Sequence, residues 1–422
     1  MKIGIKENNM QIVTNVLNFY QGHDPRCLIE TFGSPLYVYN ERILRERCKE
    51  MITLSAAPNF SVNYAMKANT NIHLMSIIRE EGLYIDASSV GEIVAAIAAG
   101  FDPENIMLIV NSVSAAELQQ ALDIGVNIIS VDSISQLETY GKMNPSGKIA
   151  LRFNSGIGGG HHEKVVTGGD GTKFGIMPEY IPQTKEILNK YNLKLIGINH
   201  HIGSQNWGDL YLQGADALLK IAKQFDDLEF IDLGGGFAIP YNKQDGEKPM
   251  DLRMLNQSLD KLMREFTTSY GKQVKFIIEP GRYIAAECGV LLGTVHSLKN
   301  CGSIRYTGTD LGFSVLARTT LYDAYHDIEV YGNDMPTDTE VVSIVGNQCE
   351  SGDYIAKGRR LPKLTEGNVL GILDAGAYGY SMSSQYNHRA RPAEILIQLD
   401  GNIRLIRHRD TFEDMLQNMK GL

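Results

Sequence analysis

The chain has 422 residues, of which 43% are hydrophobic, and its formal net charge is −9. This length predicts two domains, since an α/β barrel alone takes about 250 residues, and the acidic balance argues against a nucleic-acid partner. No apolar run approaches the roughly 20 residues of a membrane span, and residues 1–18 lack the pattern of a secretory signal. Five scattered cysteines favour a reducing compartment, the cytoplasm, over a disulfide framework.

From Ser61 onward, short β-prone runs alternate with segments whose apolar residues recur at helical spacing. This alternation predicts βαβ units and a parallel sheet, and a count of eight runs favours a closed (β/α)8 barrel. The predicted helices include 72–80, 91–99, 115–122 and 210–225. The predicted strands are 62–67, 84–87, 106–110, 128–131, 149–153, 195–201, 229–233 and 275–279.

After Pro280 the pattern changes to short β-rich runs separated by turn signals, which predicts a β-sandwich or β-barrel domain. The predicted runs there are 290–295, 340–345, 369–373 and 394–398. We therefore expect a barrel over residues 36–285 and a β domain built from residues 1–35 and 286–422.

In such a barrel, active sites lie at the carboxyl ends of the strands, so the polar residues at those ends are the candidates. Lys67 ends the first predicted strand; a strand-end lysine is commonly a solvated cap, but in a barrel mouth it can be desolvated and nucleophilic. The glycine run Gly234-Gly235-Gly236 ends another strand and either forms a tight turn or brings backbone N–H groups close to a phosphate. Ser204 could donate a second hydrogen bond to that phosphate.

Glu279 and Arg282 lie together in Glu279-Pro280-Gly281-Arg282, after the last predicted strand. The carboxylate either pairs with Arg282 at the surface or binds a protonated pyridine nitrogen, which would make the ring a strong electron sink. His201 is either a hydrogen-bonded core histidine or a residue that stacks on a ring. Cys349 is either an inert buried thiol or a proton donor.

A metal site is not expected. The pairs His161-His162 and His200-His201 are adjacent in sequence, and adjacent side chains on a strand point to opposite faces. Zinc-binding spacings such as Cys-x-x-Cys are absent from the sequence.

The ordered set of these motifs resembles the fold-type III pyridoxal-phosphate decarboxylases (the ornithine, diaminopimelate and arginine decarboxylases), and among them most closely the diaminopimelate branch. Nearly the whole chain takes part in the resemblance. The motifs include Tyr64-Ala65-Met66-Lys67-Ala68-Asn69, His201-Ile202-Gly203-Ser204-Gln205, Gly234-Gly235-Gly236-Phe237, Glu279-Pro280-Gly281-Arg282-Tyr283, Leu321-Tyr322-Asp323-Ala324-Tyr325-His326, Cys349-Glu350-Ser351-Gly352-Asp353 and Gly376-Ala377-Tyr378-Gly379.

The resemblance implies an alanine-racemase-like architecture, a pyridoxal 5'-phosphate cofactor and a homodimer whose active sites are shared between subunits. It implies that Lys67 carries the cofactor as a Schiff base, that His201 stacks on the ring, and that Glu279 binds the pyridine nitrogen. It also implies a phosphate site near Ser204, Gly234, Gly235, Gly236, Gly281, Arg282 and Tyr378, and a proton donor at Cys349 that reaches across the dimer.

The implied substrate is meso-2,6-diaminopimelate, which would yield L-lysine and CO2. Its distal end carries a carboxylate and an ammonium, and a forked guanidinium is the best partner for that carboxylate. Arg282, Arg318, Tyr322 and Tyr378 match the substrate-binding positions of the family, and Glu350 matches the residue that binds the ammonium.

Other readings stay open at this stage. The segments Thr307–Phe313, Thr319-Thr320 and Asn347-Gln348 depart from the usual family pattern, so a decarboxylase of ornithine, lysine, arginine or a modified amino acid is an alternative. Two further alternatives are a racemase on a similar architecture and a non-catalytic binding protein. Glu279 argues against the racemase, and an intact Lys67 and Cys349 argue against the binding protein.

Overall fold

The protein is described from a computed structural model that covers residues 12–160, 162–333 and 336–419. His161, one member of a predicted histidine pair, lies outside the described residues, as do residues 1–11 of the segment considered for a secretory signal. Within these ranges, no helix is both long and apolar enough to cross a membrane.

The strands are β1 (Leu36–Asn40), β2 (Phe60–Ala65), β3 (Tyr84–Ala87), β4 (Ile106–Ile109), β5 (Ile128–Val131), β6 (Lys148–Arg152), β7 (Gly159–Gly160), β8 (Lys194–Asn199), β9 (Gly203–Ser204), β10 (Phe230–Asp232), β11 (Lys275–Ile278), β12 (Gly289–Cys301), β13 (Ile304–Thr309), β14 (Ile328–Tyr331), β15 (Thr339–Val345), β16 (Tyr354–Pro362), β17 (Val369–Ile372), β18 (Ala393–Ile397) and β19 (Ile403–Arg407).

The helices are α1 (Val13–Val16), α2 (Pro25–Phe32), α3 (Glu41–Ile52), α4 (Ile72–Glu80), α5 (Val90–Ala98), α6 (Ala115–Ile124), α7 (Ile134–Met143), α8 (Ile181–Lys190), α9 (Asp209–Ala222), α10 (Leu252–Tyr270), α11 (Arg282–Ala285), α12 (Arg318–Leu321) and α13 (Phe412–Leu416).

The chain forms two compact units. The barrel unit comprises Leu44–Ile239 and Met250–Ala285, and the sheet unit comprises the residues up to Ile43, Pro240–Pro249 and the residues from Ala286 onward. The sheet unit thus takes up a short segment, Pro240–Pro249, that interrupts the barrel sequence.

The barrel unit contains a closed parallel barrel in the order β10-β11-β2-β3-β4-β5-β6-β8. All eight predicted barrel strands are present, most of them within two residues of the predicted bounds. An apolar cluster fills the interior with Met107, Ile109, Ala150, Ile196, Phe230 and Ile277, and Ile128 packs against it. Most connecting helices begin with a side-chain cap: Asn71, Ser89, Ser114, Ser133 and Asp251 accept backbone N–H groups at their starts.

The sheet unit is built on a nine-stranded sheet in the order β16-β15-β13-β12-β1-β18-β19, with β17 paired to both β12 and β14. The predicted β-rich C-terminal domain is therefore confirmed. The predicted start of the barrel at residue 36 differs from the structure, because β1 pairs antiparallel with β12 and parallel with β18. Its five residues are all buried, and such an apolar run does not show from local sequence which sheet it joins.

Candidate active site

A layer of charged side chains lies above the apolar cluster of the barrel, toward the carboxyl ends of the strands. Residues two apart on a strand share one face. Arg152 follows Ala150 by two positions, Asp232 follows Phe230, and Glu279 follows Ile277. These three residues, together with Asp86 on β3, are buried, so the strand alternation itself carries charge into the interior at the barrel mouth.

The three carboxylates of this layer are poorly compensated. Burial, followed by the nearby charges of Asp232 and Asp86, raises the pKa of Glu279 well above its ordinary value, and burial raises the pKa of Asp232 to about 7. Burial also raises the pKa of Asp86. One carboxylate oxygen on each of the three is buried and makes no hydrogen bond. A cation that binds here would relieve this cost, because an unpaired buried carboxylate is strongly unfavourable.

Lys67 lies in the single turn Met66–Ala68 directly after β2. Its Nζ is 3.7 Å from Oδ2 of Asp86, and its side chain is 42% exposed. The lysine therefore lies at the barrel mouth, as predicted. A simple desolvated nucleophile would be buried and far from any carboxylate, whereas Lys67 is partly exposed and close to Asp86. Arg152, the cation of the charged layer, lies over the ring of Phe174, with the guanidinium carbon 4.6 Å from the ring centroid.

The glycine run after β10 is required by close backbone packing. A Cβ at Gly235 would lie 2.0 Å from the carbonyl oxygen of Glu279, and one at Gly234 would lie 2.3 Å from that of His200. Gly234 donates its N–H to Asp232 and Gly235 donates its N–H to Nδ1 of His201. The amides of Gly234 and Gly235, two of the three expected to face a phosphate, are thus bonded within the protein. The close approach at Gly235 also brings the loop after β10 directly against Glu279.

The adjacent histidines have different environments, although β8 ends at Asn199 and neither histidine lies on a strand, contrary to the predicted strand over residues 195–201. His200 is buried between Ser155, 3.0 Å from Nδ1, and the carbonyl of Leu233, 3.2 Å from Nε2, and burial lowers its pKa to about 4. His201 is partly exposed, and its Nδ1 accepts the N–H of Gly235 at 3.2 Å. Burial and the nearby Lys67 lower the pKa of His201 well below its ordinary value, so the ring is neutral, as a residue that stacks on an aromatic ring can be.

Ser204 and Arg282 lie in contact. The serine Oγ accepts hydrogen bonds from Nε of Arg282 at 3.2 Å and from its Nη2 at 2.7 Å. Gly281 precedes Arg282 and packs tightly against Ala65, since a Cβ on Gly281 would lie 3.0 Å from the carbonyl oxygen of Ala65. The structure therefore brings together three of the residues that the sequence assigns to a phosphate site, while their contact with a phosphate stays a prediction.

The remaining candidates belong to the sheet unit. Arg318, at the start of α12, is 1% exposed; its Nη1 donates to Nε2 of His326 at 2.7 Å, and its guanidinium lies over the ring of Tyr241. Tyr322 follows one turn later, and its N–H bonds to the carbonyl of Arg318. Tyr378 is partly exposed with a left-handed backbone, φ 56°.

Cys349 and Glu350 are exposed in the loop between β15 and β16. The N–H of Cys349 bonds to Oδ1 of Asn387 at 2.9 Å, and Glu350 accepts the hydroxyl of Tyr386. Exposure contradicts the reading of Cys349 as an inert buried thiol.

Asp353, which is buried, holds this loop in place. Its carboxylate accepts the N–H of Gln348 at 2.9 Å and that of Phe313 at 2.7 Å. Two of the three segments that depart from the family pattern, 307–313 and 347–348, are therefore linked through the carboxylate of Asp353.

Sequence reasoning missed part of the charged layer. Arg152 and Asp232 received no role, although the strand alternation places them on the same face as Ala150 and Phe230 and could have identified them. Among the described residues, no group of three or more His, Cys, Asp or Glu side chains is arranged to hold a metal ion.

The barrel and its charged layer define the class of protein. Residues 42–286 match the family described as pyridoxal-dependent decarboxylase, pyridoxal binding domain, and the chain belongs to that family. It is therefore a lyase that uses pyridoxal 5'-phosphate to decarboxylate its substrate.

Relatives along the whole chain narrow the likeness to one branch. The chain is 40% identical to the diaminopimelate decarboxylase of Methanothermobacter thermautotrophicus, over 94% of each protein. A crystal structure of a diaminopimelate decarboxylase superimposes with a TM-score of 0.86 at 33% identity, covering 93% of this chain and 95% of the other. The Helicobacter pylori enzyme in complex with L-lysine gives a TM-score of 0.83 at 29% identity, covering 96% and 98%.

Proposed function

We propose that this enzyme decarboxylates meso-2,6-diaminopimelate to L-lysine and CO2, as the names of its relatives suggest. The choice of substrate rests on two residues of the sheet unit, the buried Arg318 and the exposed Glu350. A guanidinium and a carboxylate complement the carboxylate and ammonium of an amino-acid head group. The distal end of diaminopimelate is such a head group, whereas that of ornithine is an ammonium alone.

The charged layer of the barrel fits pyridoxal phosphate. Buried carboxylates with raised pKa values and unbonded oxygens favour a cationic partner, and a protonated pyridine nitrogen is one. When bound, the cofactor supplies an electron sink for the carbanion that remains after CO2 leaves. We propose that Glu279 binds the ring nitrogen, that Lys67 holds the cofactor and that the neutral His201 covers one face of the ring. The proposed phosphate site comprises Ser204, Gly236, Gly281, Arg282 and Tyr378, together with the loop of Gly234 and Gly235, whose own amides are bonded within the protein.

The protein groups then have distinct tasks in the proposed reaction. Arg318, with Arg282, Tyr322 and Tyr378, anchors substrate carboxylate groups, and Glu350 binds the distal ammonium. Cys349 is exposed and is not part of a disulfide, and a thiol can donate the proton that replaces the lost carboxylate. These assignments follow the family motifs, residue by residue.

A panel of substrates tests the function. The purified protein, supplied with pyridoxal phosphate, is offered meso-diaminopimelate, L-ornithine, L-lysine and L-arginine, and CO2 release is measured for each. We expect turnover of meso-diaminopimelate with L-lysine as the product. Activity confined to the substrates with a single carboxylate would overturn the proposal, and racemised substrate without CO2 would point to the racemase alternative.

We also propose a homodimer with shared active sites, located in the cytoplasm; the five cysteines, scattered along the chain, fit such a reducing compartment. If Lys67 and Cys349 of one site come from different subunits, two inactive variants can complement each other. Mixing Lys67→Ala with Cys349→Ala protein, after mild denaturation and refolding to exchange subunits, should restore part of the activity. Two variants that stay as inactive together as apart, with exchange shown by a tagged subunit, would contradict the shared site.

A further inference from the structure

The segment Pro240–Pro249 leaves the barrel sequence just after the glycine run and folds into the sheet unit. There the ring of Tyr241 lies under the guanidinium of Arg318, the residue proposed above to bind the distal carboxylate of the substrate. We infer that Tyr241, together with His326, orients Arg318 and so acts as a positioning residue for recognition of that carboxylate. This inference rests on the proposed function and names residues to which neither the family motifs nor the comparisons assign a role.

Two neighbouring side chains hold the buried guanidinium of Arg318. Arg318 is almost fully buried, and a buried cation is costly unless its donors are bonded. Its Nη1 donates to Nε2 of His326 at 2.7 Å, and its guanidinium carbon lies 4.7 Å from the ring centroid of Tyr241. Both of these partners are neutral in these contacts. These two contacts hold the guanidinium plane in one orientation, which recognition of a carboxylate by a forked guanidinium requires.

The two ring nitrogens of His326 have different hydrogen-bond partners. An arginine can only donate, so Nε2 of His326 must be the acceptor, and its hydrogen must be on Nδ1. That hydrogen points to the carbonyl of Leu373, 2.7 Å away, so both ring nitrogens have defined roles. The ring of Tyr241 packs edge to face on the imidazole, with centroids 5.1 Å apart and an interplanar angle of 76°. Tyr241 therefore contacts Arg318 and also supports the residue that bonds to Arg318.

The segment that carries Tyr241 is held in place by ion pairs of Lys243. Two residues later, Nζ of Lys243 is 2.6 Å from each carboxylate oxygen of Asp374 and 3.1 Å from Oε1 of Glu287. Burial alone would lower the pKa of Lys243, but the charges of Asp374 and Glu287 raise it above its ordinary value, so the ion pair is present at neutral pH.

The neighbouring Gln244 adds two further bonds. Its N–H donates to Asp327 at 3.0 Å, and its side chain donates to the carbonyl of Ile328 at 3.2 Å. Asp327 follows His326 in sequence, and Asp374 follows Leu373. The same two stretches of chain thus hold both the histidine and the segment that carries Tyr241, so the orientation of Arg318 is fixed from two sides. A forked guanidinium recognises a carboxylate only over a narrow range of angles.

The test compares two ligands that differ in one carboxylate. L-Lysine, the proposed product, retains the carboxylate of the distal head group, whereas cadaverine lacks it. Binding of each to the protein loaded with pyridoxal phosphate is measured by calorimetry for wild type, His326→Leu, His326→Gln and Tyr241→Leu. His326→Gln is the matched control, since its side-chain oxygen can accept the hydrogen bond that Nε2 accepts.

We expect His326→Leu to weaken L-lysine binding about tenfold or more, the effect of one hydrogen bond to a charged group. Tyr241→Leu should weaken it roughly 2- to 30-fold, the effect of one cation–π contact, and both variants should leave cadaverine binding unchanged. His326→Gln should recover most of the loss. The KM for meso-diaminopimelate should rise more than kcat falls, and the absorbance of the bound cofactor should not change. Equal weakening of both ligands, or no weakening of either, would overturn the inference.

The two proposals fail in different ways. Wild-type protein that does not turn over meso-diaminopimelate refutes the proposed function, whereas an active wild type whose variants lose no carboxylate preference refutes only the role of Tyr241 and His326. If either leucine variant does not fold, as judged by circular dichroism, His326→Gln and the remaining variant still decide the question.

Discussion

Replacing Glu279 with glutamine should change the stability of the cofactor-free protein and the activity of the loaded enzyme in opposite directions. In the cofactor-free protein the carboxyl is buried, one of its oxygens makes no hydrogen bond, and two further carboxylates lie near it. Its raised pKa lowers stability as pH increases above the value for the unfolded chain, because the unfolded state then releases a proton that the folded state retains. A glutamine of the same shape does not have this cost.

The magnitudes follow from linkage and from hydrogen bonding. At pH 7 the cost of keeping this carboxyl protonated is at most about 4 kcal/mol, and it falls toward zero near pH 4.5. In the loaded enzyme, a charge-assisted hydrogen bond to the ring nitrogen contributes about 1.5 to 3 kcal/mol, which corresponds to roughly 10- to 150-fold. We expect Glu279→Gln to stabilise the cofactor-free protein at pH 7 and to lower cofactor affinity or turnover by that factor.

The assay measures denaturant unfolding of cofactor-free protein at pH 7 and pH 5, together with cofactor affinity and CO2 release. Asp232→Asn is the control, because an asparagine oxygen can still accept the N–H of Gly234 while one buried carboxyl is removed. It should also stabilise the cofactor-free protein but should retain more of the activity. Wild-type activity in Glu279→Gln, or a destabilised cofactor-free protein, would refute the reasoning.

Three further predictions concern the barrel unit. Lys67→Ala should abolish the visible absorbance of the bound cofactor and nearly all turnover; normal activity would exclude it as the cofactor lysine. Gly235→Ala should destabilise the protein by at least about 1 kcal/mol, since its Cβ would lie 2.0 Å from a backbone oxygen. The control is Gly91→Ala at an exposed position of α5, which should leave the unfolding midpoint unchanged or raise it. Since the pKa of His200 is about 4 when folded, its burial should cost about 2 kcal/mol of stability between pH 7 and pH 5, and His200→Gln should show a smaller loss; an unchanged pH slope would contradict this.

The sequence was sufficient to predict the barrel strands because each signal is local. A short apolar run between turn residues, repeated with amphipathic segments, needs no knowledge of distant contacts. Lys67 and Glu279 were found by the same reasoning, as polar residues at strand ends of an expected barrel. The contact between Ser204 and Arg282 was implied only by the family motif, since 78 residues separate the two in sequence.

The charged layer shows where local reading stops. Asp86 lies on β3, yet neither its ion pair with Lys67 nor the layer it shares with Arg152 and Asp232 was predicted. Burial of a carboxylate and the resulting rise in its pKa depend on what surrounds it on all sides. Those neighbours come from different strands, so only the closed barrel defines them.

Local sequence was enough to predict the types of the secondary-structure elements, because periodicity is a property of neighbouring residues. The family motifs, which are also local, were enough to predict the class of chemistry. Tertiary structure alone decided that Leu36–Asn40 belongs to the sheet unit, since its partners Leu292 and Ala393 lie more than 250 residues away in sequence. It alone placed Tyr241 and His326 against Arg318. Strand pairing and the orientation of a buried cation are fixed by long-range hydrogen bonds and packing, which a one-dimensional pattern does not contain.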